Sequence, residues 1–391
     1  MAPIRIASSP LTHIGWGALE KLYDEIKNSR GRILIVADPV LGQIGMLGKV
    51  TARFAALNIY YDIYTGIIPE PLLQTAEQLV SFARRGDYAL VVGIGGGSAL
   101  DLAKLAAVFT QNGGDVKEYL NLSGNRNIES KGLPKILIPT TSGTGTEVTN
   151  IVVLALEHTK DVIAHDYLLA DIAIVDPELT LTVPPRVTAA TGADALTHAI
   201  EAFISVNANP YSDGHALQAI RLIGSSLKKA VENGNDRQAR TAMAYGSYLA
   251  GLAFFNAGVG AIHALAYPLG GQFHLAHGES NAVLIPYVLG YIRKTCPGKL
   301  ALILQALTGE YHLISNEAAS LKCIEILARL VKEIGIPPTL HGFRIPPHAT
   351  KALAEDAIRQ KRLLARCPMV LTEADVFRIY NAAFDGIVIT A

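Results

Sequence analysis

Cysteine is scarce in this chain. Three occur in 391 residues, Cys296, Cys323 and Cys367, and no two form a Cys-x-x-Cys pair. That argues against a disulfide framework and a thiolate metal site, and it fits a reducing compartment, the cytoplasm. Charge of one sign is also missing: Lys plus Arg and Asp plus Glu each number 34. Without a basic tract, nucleic acid is not an expected partner. Long hydrophobic runs are absent too. The most apolar stretch, residues 248–262, contains Asn256 and three glycines, and falls short of the roughly 20 residues needed to span a bilayer. It reads as a buried core segment, and no membrane is expected as a partner. The opening residues, Met-Ala-Pro-Ile-Arg-Ile-Ala-Ser-Ser-Pro, lack the apolar core of a signal peptide. Low-complexity tracts and internal repeats are missing as well.

Half of the residues are hydrophobic, ample for a large core and enough, at this length, for two domains. The first half alternates short apolar runs with helical patterns. Strands are expected at residues 32–37, 58–64, 88–94, 135–139 and 173–176, with helices at 72–85 and about 99–110. Such alternation implies right-handed parallel units in an α/β sheet. After Pro184-Pro185 the pattern becomes long helical stretches, broken at Asn233-Gly-Asn, Gly270-Gly271, Pro297-Gly298, Gly335-Ile-Pro-Pro338 and Pro346-Pro347. The expected organisation is an α/β domain over residues 1–184 followed by an all-helical domain over 185–391.

Chemistry concentrates in two segments of the second half. In Thr191-Gly-Ala-Asp194-Ala-Leu-Thr-His198, Asp194 and His198 stand four apart, one turn of a helix on one face. His263 and His277 lie in the nearly uncharged run from Ile262 to Gly278, so its histidines are expected to be buried. One carboxylate and three imidazoles suit a divalent transition metal such as iron or zinc. Such a site keeps about one unit of positive charge, which stabilises an alkoxide oxygen and points to alcohol or carbonyl chemistry. The plainer alternative is a core histidine with a hydrogen-bond partner and a simple Asp–His pair.

The first half supplies loops rich in glycine and hydroxyl groups. Gly95-Gly96-Gly97-Ser98 follows a strand and opens a helix, where bare backbone N–H groups bind phosphate; the alternative is a tight turn without ligand. Pro139-Thr-Thr-Ser-Gly-Thr-Gly-Thr-Glu147 can hold a ribose or phosphate, or merely cap the next helix. Two such loops at the ends of parallel strands favour a nucleotide. Asp38 ends the first strand of this fold, where an acid can bind both adenosine ribose hydroxyls and repel a 2′-phosphate; otherwise it is a turn residue before Pro39. Lys160, in a polar turn, reads on its own as a surface lysine. Loops before the boundary and ligands after it would meet in an interdomain cleft.

Together these motifs closely resemble the iron-containing (group III) alcohol dehydrogenase family over nearly the whole chain. The resemblance is strongest in residues 139–147, 191–201 and 263–278. It implies a dehydroquinate-synthase-like fold, with a nucleotide-binding α/β domain and a helical metal-binding domain. It implies metal ligation, by Fe2+ or alternatively Zn2+, through Asp194, His198, His263 and His277. It implies NAD pyrophosphate on Gly95, Gly96, Gly97 and Ser98, with Thr140, Thr141 and Thr144 at the nicotinamide end and Lys160 reaching the cofactor. Asp38 stands where NAD-preferring members often carry an acid. Members commonly form dimers, so a homodimer is expected. The chain departs from the family at Tyr267, where many members have a further His near the substrate, and at Ala276 and Ala170, where Pro is frequent. The implied activity is an NAD-dependent alcohol dehydrogenase or aldehyde reductase for a small alcohol, diol or hydroxyaldehyde, with Tyr267 and His274 as candidates for passing the proton. Two rivals are a dehydroquinate-synthase-type lyase and a nucleotide-binding protein with a decayed site. The lyase requires cationic side chains for a phosphorylated substrate, which residues 188–204 and 251–286 lack.

Overall fold

The computed structural model describes residues 3–156 and 160–389. It divides into two compact units, Ser8–Leu181, and Thr182–Ala391 together with Met1–Ala7.

The first unit is built on a six-stranded parallel sheet of β1 (Leu11–Ile14), β2 (Arg32–Ala37), β3 (Tyr61–Tyr64), β4 (Tyr88–Gly95), β5 (Lys135–Pro139) and β8 (Ile172–Val175), in the order β1-β8-β5-β4-β2-β3. A parallel sheet is covered on both faces, so its central strands read as unbroken apolar runs. β2 shows how: Leu34 and Val36 pack with Leu79, Val91 and Leu100, while Ile33, Ile35 and Ala37 pack with Leu22, Leu47 and Phe54. The helices Leu73–Arg85 and Gly97–Phe109 supply the first of these layers. Strand order reverses between β2 and β4, whose register pairs Ala37 with Ile94. The loops leaving these two strands therefore flank the topological switch point, where open α/β sheets receive ligands.

Two strands depart from expectation. β3 begins at Tyr61, because Asn58 takes a left-handed conformation (φ 56°) that ends any extended run there. The segment containing Lys160 is a strand. β6 (Ile151–Ala155) and β7 (Lys160–Ala164) form an antiparallel ribbon, and Lys160 is buried, whereas residues 157–159 lie outside the described residues.

In the second unit every element among the described residues is helical. Proline opens several helices where its missing N–H costs nothing: Pro185–Ile204, Pro210–Glu232 and Pro297–Thr308. Asn209 and Ser212 complete a reciprocal cap on the second of these. The apolar stretch 248–262 spans the end of Arg237–Ala257 and the start of Ala261–Phe273, with Gly258 (φ 80°) at the bend, and most of it is buried. No single helix among the described residues is long and apolar enough to cross a membrane. Gly270-Gly271 does not break the chain as expected. Both lie inside Ala261–Phe273, and the break comes at His274, in the left-handed conformation (φ 54°) as the C-cap.

Candidate functional site

Three helices of the second unit carry the metal-ligand candidates. Pro185–Ile204 supplies Asp194 and His198, Ala261–Phe273 supplies His263, and His277–Ile292 supplies His277 at its first position. An Arg186–Glu279 pair, bidentate at 2.8 and 3.2 Å, ties the start of the first helix to the start of the third. The four side chains converge. Asp194 Oδ1 lies 3.9 Å from His198 Nε2, 3.7 Å from His263 Nε2 and 3.5 Å from His277 Nε2. The His198 ring stacks between Phe254 (4.3 Å) and His263 (4.7 Å), which holds its orientation. Asp194 and His263 are 2% exposed, His198 5%, and His277 presents its ring half-buried.

The donor set fits a divalent cation. Ligands about 2.1 Å from a tetrahedral metal stand about 3.4 Å apart, and ligating atoms of Asp194, His263 and His277 lie within 4.8 Å of one another, with the Asp194 distances at the short end. Burial by itself raises a carboxyl pKa, but the His198, His277 and His263 rings outweigh it and hold Asp194 far below the usual carboxylate range. Burial lowers the His263 pKa, yet its hydrogen bonds to Asp194 and Glu201 push it up to about 9. A buried carboxylate facing imidazole nitrogens is a donor set that iron or zinc would suit.

Two buried residues at this cluster lay outside the predicted set. Glu201 Oε2 sits 2.6 Å from His263 Nδ1. Asn281 Nδ2 reaches Asp194 Oδ1 at 2.8 Å, His263 Nε2 at 3.2 Å and His277 Nε2 at 3.3 Å. The signal was spacing: Glu201 is seven residues beyond Asp194 and Asn281 four beyond His277, each one or two turns along the same face.

The two proton-passing candidates separate. Tyr267, one turn beyond His263, is buried with its ring 6.1 Å from that of His277. His274 is exposed, contrary to expectation, because it caps the helix end where the chain turns.

In the first unit the cofactor candidates gather at the switch point. Asp38 follows β2, donates its backbone N–H to Ile94 O, and accepts from Val40 N as a helix cap. Gly95 has φ 148°, and a Cβ there would lie 3.0 Å from that of Asp38. A Cβ on Gly97 would come 2.7 Å from Thr144, while one on Gly96 would meet only Thr141, at 3.9 Å. Thr140 N–H donates to Gly95 O. The glycines thus keep a shallow cradle open beside a helix N-terminus, where bare N–H groups and the dipole favour a phosphate. Lys160 comes to the same place through Glu70. Its Nζ is 3.0 Å from Glu70 Oε1, and the Glu70 N–H donates to Ser98 Oγ.

Known proteins match on both halves. The profile of iron-containing alcohol dehydrogenase matches residues 10–177, and that of the Fe-containing alcohol dehydrogenase family, C-terminal, matches residues 188–384. The chain is 60% identical over 390 residues to long-chain-alcohol dehydrogenase 1 of Geobacillus thermodenitrificans (strain NG80-2), covering 100% of this chain and 99% of that one. It is 33% identical over 393 residues to sulfoacetaldehyde reductase of Bilophila wadsworthia (strain 3_1_6), covering 99% and 100%. The crystal structure of 1,3-propanediol oxidoreductase superposes with a TM-score of 0.93 at 33% identity, over 98% of this chain and 100% of that one. With both halves matched and a donor set that fits the metal, the chain belongs to the iron-containing alcohol dehydrogenases, oxidoreductases that work with NAD and a divalent metal.

Proposed function

We propose that this enzyme interconverts primary aliphatic alcohols, long-chain ones included, with their aldehydes. One divalent metal is held by Asp194, His198, His263 and His277 in a metal-binding domain over residues 185–391. NAD is held in the domain over residues 1–184. The single observation that carries the reading is that the Nε2 atoms of His198, His263 and His277 all lie within 3.9 Å of Asp194 Oδ1 in the helical unit, with His198 the most distant. The 60% identity to a long-chain-alcohol dehydrogenase supports the substrate class.

When bound, the metal would supply Lewis acidity toward the alcohol oxygen and NAD would supply a hydride acceptor. The chain's own residues do the rest. Asp194 offsets the cation's charge, and the stacked, buried rings of His198 and His263 fix its place and exclude water. Gly95, Gly96, Gly97 and Ser98 receive the pyrophosphate, Thr140, Thr141 and Thr144 line the nicotinamide end, and Lys160 joins them. Asp38 selects NAD by repelling a 2′-phosphate. Tyr267 lines the substrate side of the metal and orients a second polar group there. His274, at the surface, passes the proton outward. Iron or zinc occupies the site according to supply, since imidazole and carboxylate suit both. The working form is a homodimer in the cytoplasm, for which the three buried, free cysteines are suited.

The test is NADH absorbance with primary alcohols of increasing chain length, on protein loaded anaerobically with ferrous iron or zinc. Net NAD reduction that extends to long chains supports the reading. No net reduction with any alcohol, and no NADH oxidation with any aldehyde, overturns it.

A further inference from the structure

We infer that Glu201 is a positioning residue that sets the tautomer and orientation of His263 for the metal while capping the helix on which His263 stands. This rests on the metal reading above.

The helix Ala261–Phe273 starts without a side-chain cap from its own N-cap residue, because that residue is Gly260. Its first N–H groups require acceptors from elsewhere. Glu201, on the helix that carries Asp194, provides them. Oε1 accepts from Ile262 N at 2.6 Å, and Oε2 accepts from His263 N at 3.3 Å and faces His263 Nδ1 at 2.6 Å. The carboxylate is 2% exposed, so these donors replace the water it gives up. A carboxylate can only accept, so Nδ1 carries the proton and donates it.

The other side of the ring faces the ligand cluster. Asn281 Nδ2 lies 2.8 Å from Asp194 Oδ1, which accepts only, so the amide turns its NH2 toward the cluster. Its second hydrogen has His263 Nε2 at 3.2 Å and His277 Nε2 at 3.3 Å within reach and can serve one of them. With Nδ1 engaged by Glu201, Nε2 is the ring nitrogen on the side of Asp194, 3.7 Å from its Oδ1, where a cation is needed. One carboxylate performs two tasks: it fixes the helix start and it points the donor nitrogen. Outer-shell carboxylates of this kind are generally worth 10- to 100-fold in metal affinity.

Glu201→Gln separates the two tasks. The Gln oxygen can still accept from Ile262 N–H, but then its NH2 faces Nδ1 and drives the proton to Nε2, on the metal side. In the opposite amide orientation, a donor faces the Ile262 donor. Three readouts decide the matter. The first is the 15N shifts of the His263 ring in metal-free protein held well above pH 9, where the ring is neutral, assigned by comparison with a His263→Gln variant. Wild type should show Nδ1–H, and Glu201→Gln should shift toward Nε2–H. The second is chelator-competition affinity for Zn2+, expected to weaken about 10- to 100-fold in Glu201→Gln. The third is metal-free thermal unfolding, where Glu201→Ala, which also loses the cap, should fall further than Glu201→Gln. An Nε2–H tautomer in the wild type overturns the inference, as does a Gln variant with wild-type tautomer and affinity. A wild type that takes up no stoichiometric metal overturns the metal reading instead, a different result.

Discussion

Gly278→Ala, one methyl group next to a proposed ligand, is expected to cost both stability and metal. Gly278 is the second residue of the His277 helix and packs against the backbone of Ala190, one turn before Asp194. A Cβ built on Gly278 would sit 2.0 Å from Ala190 O and 2.5 Å from Ala190 C, where real Cβ atoms do not come within 3.0 Å. The obstacle is main chain, so no rotamer relieves it, and the two helices must separate by about 1 Å. That exceeds the roughly 0.5 Å tolerance of a preorganised site, and it falls on the 3.5 Å approach of His277 to Asp194. Overpacking of this kind costs about 1–3 kcal/mol or more. For a unit of this size that is a fall in Tm of roughly 2–4 °C per kcal/mol. Gly214 is the control. It lies in a helix of the same unit, and its Cβ would have nothing within 4 Å. Gly214→Ala should therefore hold or raise Tm by restricting the unfolded chain. The assay is metal-free thermal unfolding followed by Zn2+ titration. A Gly278→Ala protein with the Tm and metal affinity of wild type would refute the packing argument.

Other consequences can be tested separately. Asp38→Gly should improve kcat/KM with NADP about tenfold or more by removing a like charge, and weaken it with NAD; a wild type already favouring NADP contradicts this. Burial pushes the Glu147 carboxyl up to about 7 from 4.5, against its own backbone hydrogen bond and Lys104. Folding thus favours its protonated form, so the stability it contributes is full below pH 4.5 and lost as pH rises to 7. Glu147→Gln should flatten that slope in urea unfolding, and an unchanged slope would show another group to be responsible. Tyr267→Phe should slow vicinal diols more than simple alcohols, and Tyr267→His should add a pH dependence near neutrality; equal effects on all substrates would leave Tyr267 a packing residue.

What could be read in the sequence was what local chemistry decides. β2, β4 and β5 announced themselves because both faces are buried and, after Arg32 and Lys135 at the first positions of β2 and β5, the run is apolar. Asp194 and His198 were legible because helical spacing alone puts them on one face. What escaped depended on partners far along the chain. Lys160 read as a surface residue because a lysine is buried only beside an acid, and Glu70 stands 90 positions earlier. Glu201 and the donors it accepts from, at Ile262 and His263, are separated by about 60 residues, so its role appears only once the helices meet. β1 was missed because a four-residue edge strand, exposed to half-exposed, carries little apolar pattern. Gly270-Gly271 read as a break, yet the buried helix continues, its packing outweighing the roughly 1 kcal/mol that glycine costs in a helix.

The most direct test of the central claim is the rate of NAD reduction, with a long primary alcohol, as chelator-stripped protein is titrated anaerobically with ferrous iron. The rate should rise from near zero and break at one equivalent per chain, and a His277→Ala protein should stay near zero throughout. A stripped protein that reduces NAD as fast as the loaded one would contradict the account, and so would a His277→Ala protein that follows the wild-type curve.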